Sequence, residues 1–125
     1  MKHASILLVD DDEDDQEIFS SALEQLSYTG IFQPVSSAMD ALELLKHTPS
    51  LPDLIFLDLN MPIMNGQQFL AEVKRTKDIQ HIPVIIFSTS SNPKTIQQTK
   101  ELGAYDFITK PDKFEELVNK LKTVI

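Results

Sequence analysis

Short apolar runs separated by helix-like segments account for most of this chain. Four runs are strongly aliphatic or aromatic and cover residues 6–9, 54–57, 84–87 and 105–108. A weaker run at 31–35 contains Pro34, which favours an edge strand because proline donates no hydrogen bond to a strand ladder. Runs that are apolar at every position are typical of parallel strands buried on both faces, although periodicity alone leaves that interpretation open.

The segments between these runs carry apolar residues at helical spacing, and each stripe predicts a helix that packs one face against a sheet. The four stripes are Ile18, Phe19, Ala22, Leu23 and Leu26; Ala38, Ala41, Leu42 and Leu45; Phe69, Leu70 and Val73; and Phe114, Leu117, Val118, Leu121 and Val124. The segment 93–102 differs, because only Ile96 and Leu102 in it are strongly apolar. We expect that helix to pack loosely or to meet a partner.

Helix start and stop signals support these segments. The start signals are the capping-box pairs Ser37 with Asp40 and Asp112 with Glu115, and Asn92 followed by Pro93 at the first helical position. Gly103 predicts the end of the segment 93–102. Strands and helices that alternate in this way predict right-handed crossovers and a three-layer α/β sandwich. Ligands of such sheets bind beyond the carboxyl ends of the strands, so chemistry is expected there.

Composition narrows the class of protein. A chain of 125 residues suits a single domain. Its 19 acidic and 11 basic residues give a net charge of −8, which disfavours direct binding to nucleic acid or to an anionic membrane surface. Without cysteine there is neither a disulfide nor a thiolate metal site, which suits the reducing cytoplasm. The apolar run at 6–9 is too short for a signal peptide or a membrane span.

Polar residues follow each predicted strong strand. Asp10 and Asp11 follow the first, Asp58 and Ser88 follow the next two, and Lys110 lies just beyond the last. Each of these residues alone has an ordinary structural explanation, such as a solvated loop, a cap or a surface charge. Together they predict three carboxylates at one edge of a sheet, where like charges disfavour joint ionisation unless a cation intervenes.

Oxygen ligands without cysteine favour a hard cation, and few carboxylates with room for water favour Mg²⁺ over Ca²⁺. A carboxylate such as Asp58 can accept a phosphoryl group as an acyl phosphate, with Mg²⁺ and Lys110 neutralising its oxygens. The hydroxyl of Ser88 can donate to a phosphoryl oxygen. The site therefore indicates phosphoryl transfer.

Four motifs together resemble the receiver domain of two-component response regulators. They are LLVDDD, IFLDLNMPIMNG, PVIIFSTSS and YDFITKP, in this order along the chain. The resemblance covers essentially the whole chain, and we expect a single receiver domain over residues 1–125 with no output domain. It implies a flavodoxin-like (βα)5 fold with a parallel sheet of order 2-1-3-4-5, and a signalling domain that is not an enzyme acting on a separate substrate.

The resemblance also implies roles for individual residues. Asp58 matches the aspartate that is phosphorylated by a histidine kinase, and Asp10 and Asp11 match the acidic pair that holds Mg²⁺, or Mn²⁺, together with Asp58. Asn60 matches the residue whose backbone carbonyl is a further metal ligand. Because Asp12 is also acidic, Asp11 with Asp12 is an alternative pair, although Asp10 directly follows the apolar run and is preferred. Residues 12–15 are then expected to serve the start of the next helix.

The remaining matches concern the switch. Ser88 matches the hydroxyl residue that moves toward the phosphoryl group, and Lys110 matches the lysine that pairs with it. Phe107 matches the aromatic switch position, here without a hydroxyl, so its burial alone would mark the two states. The Lys110–Pro111 bond matches a peptide that is typically cis in the family.

The implied partners are a histidine kinase or phosphotransfer protein and an unknown downstream protein. The output face would be helix 4, strand 5 and helix 5, which is also a possible homodimer face, and the location would be cytoplasmic. The segment 76–91 resembles stand-alone regulators that partner phytochrome-like kinases. An alternative is a small Mg²⁺-dependent phosphatase of the haloacid dehalogenase type that uses Asp10 and Asp12, but such a protein would leave the LDLNMP motif without a role.

Overall fold

A parallel sheet of five strands is the centre of the computed structural model, which describes residues 4–125. The strands are β1 (Ser5–Val9), β2 (Ile31–Val35), β3 (Leu54–Leu57), β4 (Val84–Ser88) and β5 (Asp106–Thr109). The helices are α1 (Glu13–Gln25), α2 (Ala38–His47), α3 (Gly66–Arg75), α4 (Pro93–Glu101) and α5 (Phe114–Val124). The strand order is β2-β1-β3-β4-β5, as predicted, and β2 lies at an edge.

Side chains of the central strands enter two separate cores, one on each face of the sheet. In β1, Leu7 and Val9 pack with α2 and α3, whereas Ile6 and Leu8 pack with α1 and α5. β3 and β4 alternate in the same way and are buried at every position. This double burial confirms that the continuous apolar runs are interior parallel strands.

Phe19 of α1 is the centre of the core on the α1 and α5 face. Its ring centroid lies 4.9 Å from that of Phe56, 5.6 Å from that of Phe87 and 5.5 Å from that of Phe32. The first two contacts are edge-to-face and the third is stacked, both of which are favourable arrangements of aromatic rings. These rings join α1 to three strands of the sheet.

Three local predictions differ from the structure. Ile18 and Phe114 were placed in helix stripes but are 47% and 42% exposed, because each lies beside the buried arc of its helix. The pair Asp112 and Glu115 forms no capping box, since α5 begins one residue later with Lys113 at the N-cap and no side-chain cap. The last strand begins at Asp106, not at residue 105.

Other predicted boundaries are confirmed. Ser37 caps α2 and Asn92 caps α4, each by accepting a backbone N–H. Gly103 follows α4 with a φ of 105°, a left-handed conformation that favours glycine. As expected, α4 packs loosely, and only Thr99 among its residues is fully buried.

We expect Phe19→Ala to lower the free energy of unfolding by about 3 to 5 kcal/mol, because it opens a cavity among three other rings. Ile18→Ala is the matched control on the same helix and is expected to cost less than about 1 kcal/mol, since Ile18 is exposed. Urea denaturation measures both. Equal losses in the two variants would contradict the assignment of Phe19 to the core and Ile18 to the surface.

Candidate functional site

Backbone hydrogen bonds at the carboxyl ends of the strands determine where the predicted polar residues lie. The N–H of Asp10 donates to the last carbonyl of β2 at 3.0 Å, and that of Asp58 donates to the last carbonyl of β1 at 2.9 Å. The N–H of Lys110 donates to the carbonyl of Ser88 at 2.8 Å. Each bond continues a parallel ladder past the strand end, so these residues meet at one edge of the sheet.

Three carboxylates form a cluster at this edge. One oxygen from each of Asp10, Asp11 and Asp58 lies within 4.8 Å of the other two. Asp10 and Asp58 are buried, whereas Asp11 is exposed. Such a donor set consists of oxygen atoms alone and carries excess negative charge, which fits Mg²⁺ or Mn²⁺.

Asp12 differs from the acids before it. Its carboxylate accepts hydrogen bonds from the N–H groups of Asp14 at 2.9 Å and Asp15 at 3.3 Å, and so caps α1. The alternative pair, Asp11 with Asp12, would take the carboxylate that already caps the helix. The geometry instead groups Asp11 with Asp10.

Lys110 extends into the carboxylate cluster from the end of β5. Its Nζ donates to Asp10 Oδ2 at 2.9 Å and to Asp15 Oδ2 at 2.7 Å. Asp58 Oδ1 is 3.7 Å away, which is an ion-pair distance but too long for a good hydrogen bond. The same ammonium lies 5.5 Å from the ring centroid of Phe87, within the range of a cation–π contact.

Burial and charge perturb the ionisation of this cluster. Burial raises the pKa of Asp58 to about 6, with Lys110 opposing the shift and Asp10 adding to it. Burial likewise raises the pKa of Asp10, against hydrogen bonds from the Asp12 backbone and Lys110. Burial would lower the pKa of Lys110, but its bonds to Asp15 and Asp10 outweigh that effect and raise the pKa.

The predicted switch residues lie around the same edge. Ser88 is fully buried, and its Oγ accepts a hydrogen bond from the N–H of Ser90 at 3.3 Å. Phe107 is half-buried and packs against the core on the α2 and α3 face. Asn60 is exposed two residues after Asp58, and its backbone favours the ionised form of that carboxylate.

The Lys110–Pro111 bond is trans, as are all peptide bonds among residues 4–125, so the expectation of a cis bond is wrong for this structure. Lys110 nevertheless points into the site. Its backbone bond to Ser88 and its two carboxylate partners are sufficient to hold it there.

Gly66 allows the loop after β3 to close behind Asp58. A Cβ at this position would lie 2.5 Å from the carbonyl oxygen of Asp58 and 2.7 Å from Cα of Leu59, closer than real contacts allow. The preceding Asn65 caps α3 in a reciprocal capping box with Gln68. Asn65 and Gly66 therefore form the start of α3.

Two residues of the site were not predicted as such. Asp15 was assigned to the start of α1 alone, yet it binds Lys110. The side-chain amide of Gln16 donates to the carbonyl of Asp10 at 2.7 Å and to Ser36 Oγ at 3.1 Å. The one signal that could have indicated these roles is the start of α1 at Glu13, because a helix that begins there places residues 15 and 16 over the strand ends.

The doubly wound sheet with three carboxylates and a lysine at its carboxyl edge is the arrangement expected of a receiver domain. The family model of the response regulator receiver domain matches residues 6–122. The chain therefore belongs to the response regulator receiver domain family of two-component signalling. Receiver domains bind Mg²⁺ or Mn²⁺ at an acidic pocket, and the cluster of Asp10, Asp11 and Asp58 corresponds to such a pocket.

Individual relatives agree with the family. The chain is 33% identical to the two-component response regulator ORR8 of Oryza sativa subsp. indica, over 99% of this chain and 100% of that protein. It is 36% identical to a probable cyclic di-GMP phosphodiesterase of Vibrio cholerae over 98% of its own length, but spans only 27% of that protein.

Solved structures share the fold. The phosphorylated cyanobacterial phytochrome response regulator RcpA superposes with a TM-score of 0.89 at 32% identity, covering 98% of this chain and 91% of that one. The Mn²⁺-bound form of response regulator Rcp1 has a TM-score of 0.85 at 27% identity, covering 95% and 89%. Among the described residues, none of the helices has the length and apolar character needed to cross a membrane.

Asp58→Asn is expected to stabilise the metal-free protein. The folded pKa of about 6 lies above the ordinary value, so the unfolded state ionises first and wild-type stability falls as pH rises from about 4 to 6. Asparagine does not ionise and avoids this loss. The difference in unfolding free energy between Asp58→Asn and wild type should therefore be about 1 kcal/mol larger at pH 7.5 than at pH 5. Urea denaturation in a chelator measures it. A gain that is the same at both pH values would contradict the shifted ionisation.

Proposed function

We propose that this receiver domain is a phosphoacceptor switch that takes a phosphoryl group on Asp58 from a histidine kinase or phosphotransfer protein. The observation that carries the proposal is the buried carboxylate of Asp58, enclosed by Asp10, Asp11 and Lys110 in a member of the receiver family. The domain then acts on its own side chain and on a binding partner, and is not an enzyme with a separate substrate.

In the proposed reaction, a carboxylate oxygen of Asp58 attacks the phosphorus atom of a phosphohistidine. The new O–P bond makes an acyl phosphate, the P–N bond breaks, and the imidazole leaves with the electron pair. A bound Mg²⁺ would neutralise charge on the phosphoryl oxygens. Asp10, Asp11, Asp58 and the backbone carbonyl of Asn60 would hold it, while the ammonium of Lys110 and the hydroxyl of Ser88 would contact the phosphoryl group.

We infer that output uses the face formed by α4, β5 and α5. Its α4 helix has little buried surface, and Tyr105 next to β5 is 74% exposed. A surface cavity of about 300 Å³ on this face is lined in part by Ile96, Thr99 and Phe107. Movement of Ser88 toward a phosphoryl group and inward packing of Phe107 would change this cavity, and with it the affinity for a downstream protein or a second copy of the chain.

Two solved neighbours support the choice of phosphodonor. One is the cyanobacterial phytochrome response regulator RcpA, which matches 98% of this chain. A second neighbour is a bacteriophytochrome response regulator at 29% identity and a TM-score of 0.80, covering 94% of this chain and 75% of that one. We propose a histidine kinase of the phytochrome class as the donor.

The cytoplasmic location stays a prediction.

Incubation with Mg²⁺ and a small acyl phosphate should add the mass of one phosphoryl group to the wild-type protein and none to Asp58→Asn. Asp10→Asn should still accept the group, at a lower rate. Intact-mass spectrometry measures the product. A phosphoryl group that persists in Asp58→Asn and disappears in Asp10→Asn would instead favour the haloacid dehalogenase alternative, in which Asp10 is the nucleophile.

Asp11→Asn should weaken Mg²⁺ binding by at least about tenfold, because it removes one carboxylate from the cluster. Asp14→Asn removes the same charge from an exposed position in the first turn of α1 and should change the affinity by less than about twofold. Isothermal titration calorimetry measures both. Equal losses would mean that the acidic run binds the metal through general charge and not through a defined cluster.

A further inference from the structure

The ammonium of Lys110 is committed to carboxylates other than the proposed phosphoacceptor. It is 2.7 Å from Asp15 Oδ2 and 2.9 Å from Asp10 Oδ2, but 3.7 Å from Asp58 Oδ1. Its bonds to Asp15 and Asp10 are therefore short, charge-assisted hydrogen bonds, whereas the contact with Asp58 is electrostatic alone. The ammonium has three donor protons, so one remains for an oxygen of a phosphoryl group on Asp58, but the two short bonds hold Nζ toward Asp15 and Asp10.

The position of Asp15 follows from the start of α1. The carboxylate of Asp12 accepts the N–H of Asp15 at 3.3 Å, which holds the first helical turn above the ends of the strands. The side chain of Asp15 is 34% exposed and that of Lys110 only 11%, so the pair is partly shielded from water. Asp14, one residue earlier in the same turn, is exposed and has no ion pair among the described residues.

A bound divalent cation would not remove this competition. Asp10 belongs to the carboxylate cluster, so a cation there would neutralise its charge and weaken its hold on Lys110. Asp15 lies outside that cluster and would keep its full charge. In the metal-bound state it is then the strongest remaining competitor for the ammonium.

We propose that Asp15 is a positioning residue that competes with the phosphoryl group for Lys110 and so weakens the phosphorylated state. The inference rests on the proposed function, because it requires a phosphoryl group on Asp58. Removing the carboxylate frees one of the three donor protons of the ammonium for the phosphoryl oxygens.

The test measures the affinity for beryllofluoride, a mimic of the phosphoryl group, at saturating Mg²⁺ by isothermal titration calorimetry. Asp15→Asn should bind about three- to tenfold more tightly than wild type, the range expected for loss of a partly shielded ion pair. Asp14→Asn should stay within about twofold, because it removes the same charge without the contact. Asp15→Glu, which keeps the carboxylate, should return toward wild type.

A second comparison shows whether Asp15 acts through Lys110. In a Lys110→Met background, adding Asp15→Asn should leave beryllofluoride affinity unchanged, since the ammonium for which Asp15 competes is gone. A role of Asp15 in helix stability alone would not depend on residue 110. Asp15→Ala provides the same comparison should the asparagine variant fold poorly.

The possible outcomes distinguish failure of this inference from failure of the proposed function. Equal tightening in Asp14→Asn and Asp15→Asn, or unchanged or weaker binding in Asp15→Asn, overturns the competition while leaving the phosphoacceptor in place. Persistence of the Asp15→Asn effect in the Lys110→Met background also overturns it. Failure of the wild-type protein to bind beryllofluoride, or equal binding by Asp58→Asn, overturns the proposed function and the inference with it.

Discussion

The repulsion among Asp10, Asp11 and Asp58 is the constraint on which the site depends. Two of these carboxylates are buried, and the ammonium of Lys110 is the one ion-pair partner that they have among residues 4–125. One lysine cannot neutralise three carboxylates, so the cluster keeps an excess of negative charge. Burial, with a smaller contribution from Asp10, raises the pKa of Asp58. The excess of negative charge creates affinity for a divalent cation and makes the site unfavourable for stability.

The sheet order makes this arrangement possible. β1 and β3 are neighbours, so Asp10 and Asp58 lie side by side beyond their ends, whereas β5 lies two strands further along. The long side chain of Lys110 spans the difference, passing over the ring of Phe87 at the end of β4. Phe87 also contacts Phe19, so the core on the α1 and α5 face supports the path of the lysine. The packing of this core therefore helps to hold the ammonium of Lys110 at the site.

Strands and helices were predictable here because burial imposes simple periods on the sequence. The strand-end residues were predictable because parallel ladders end at one edge, and Asp10, Asp11 and Asp58 are indeed close together. The exposure of Ile18 was not predictable, since an apolar residue at the border of a helix stripe can be either buried or exposed. Asp15 was missed because a first-turn acid has a sufficient local explanation in the helix dipole, and its contact with Lys110 spans 95 positions in sequence.

The loose packing of α4 sets the scale of energy that a switch at this site needs. A helix with a single fully buried residue has few contacts to lose, so the two positions that the proposed switch requires need differ by only a few kcal/mol. A charge-assisted hydrogen bond between Lys110 and one oxygen atom contributes free energy of that same order. Competition for one ammonium would therefore be large enough to shift the population of the proposed output face.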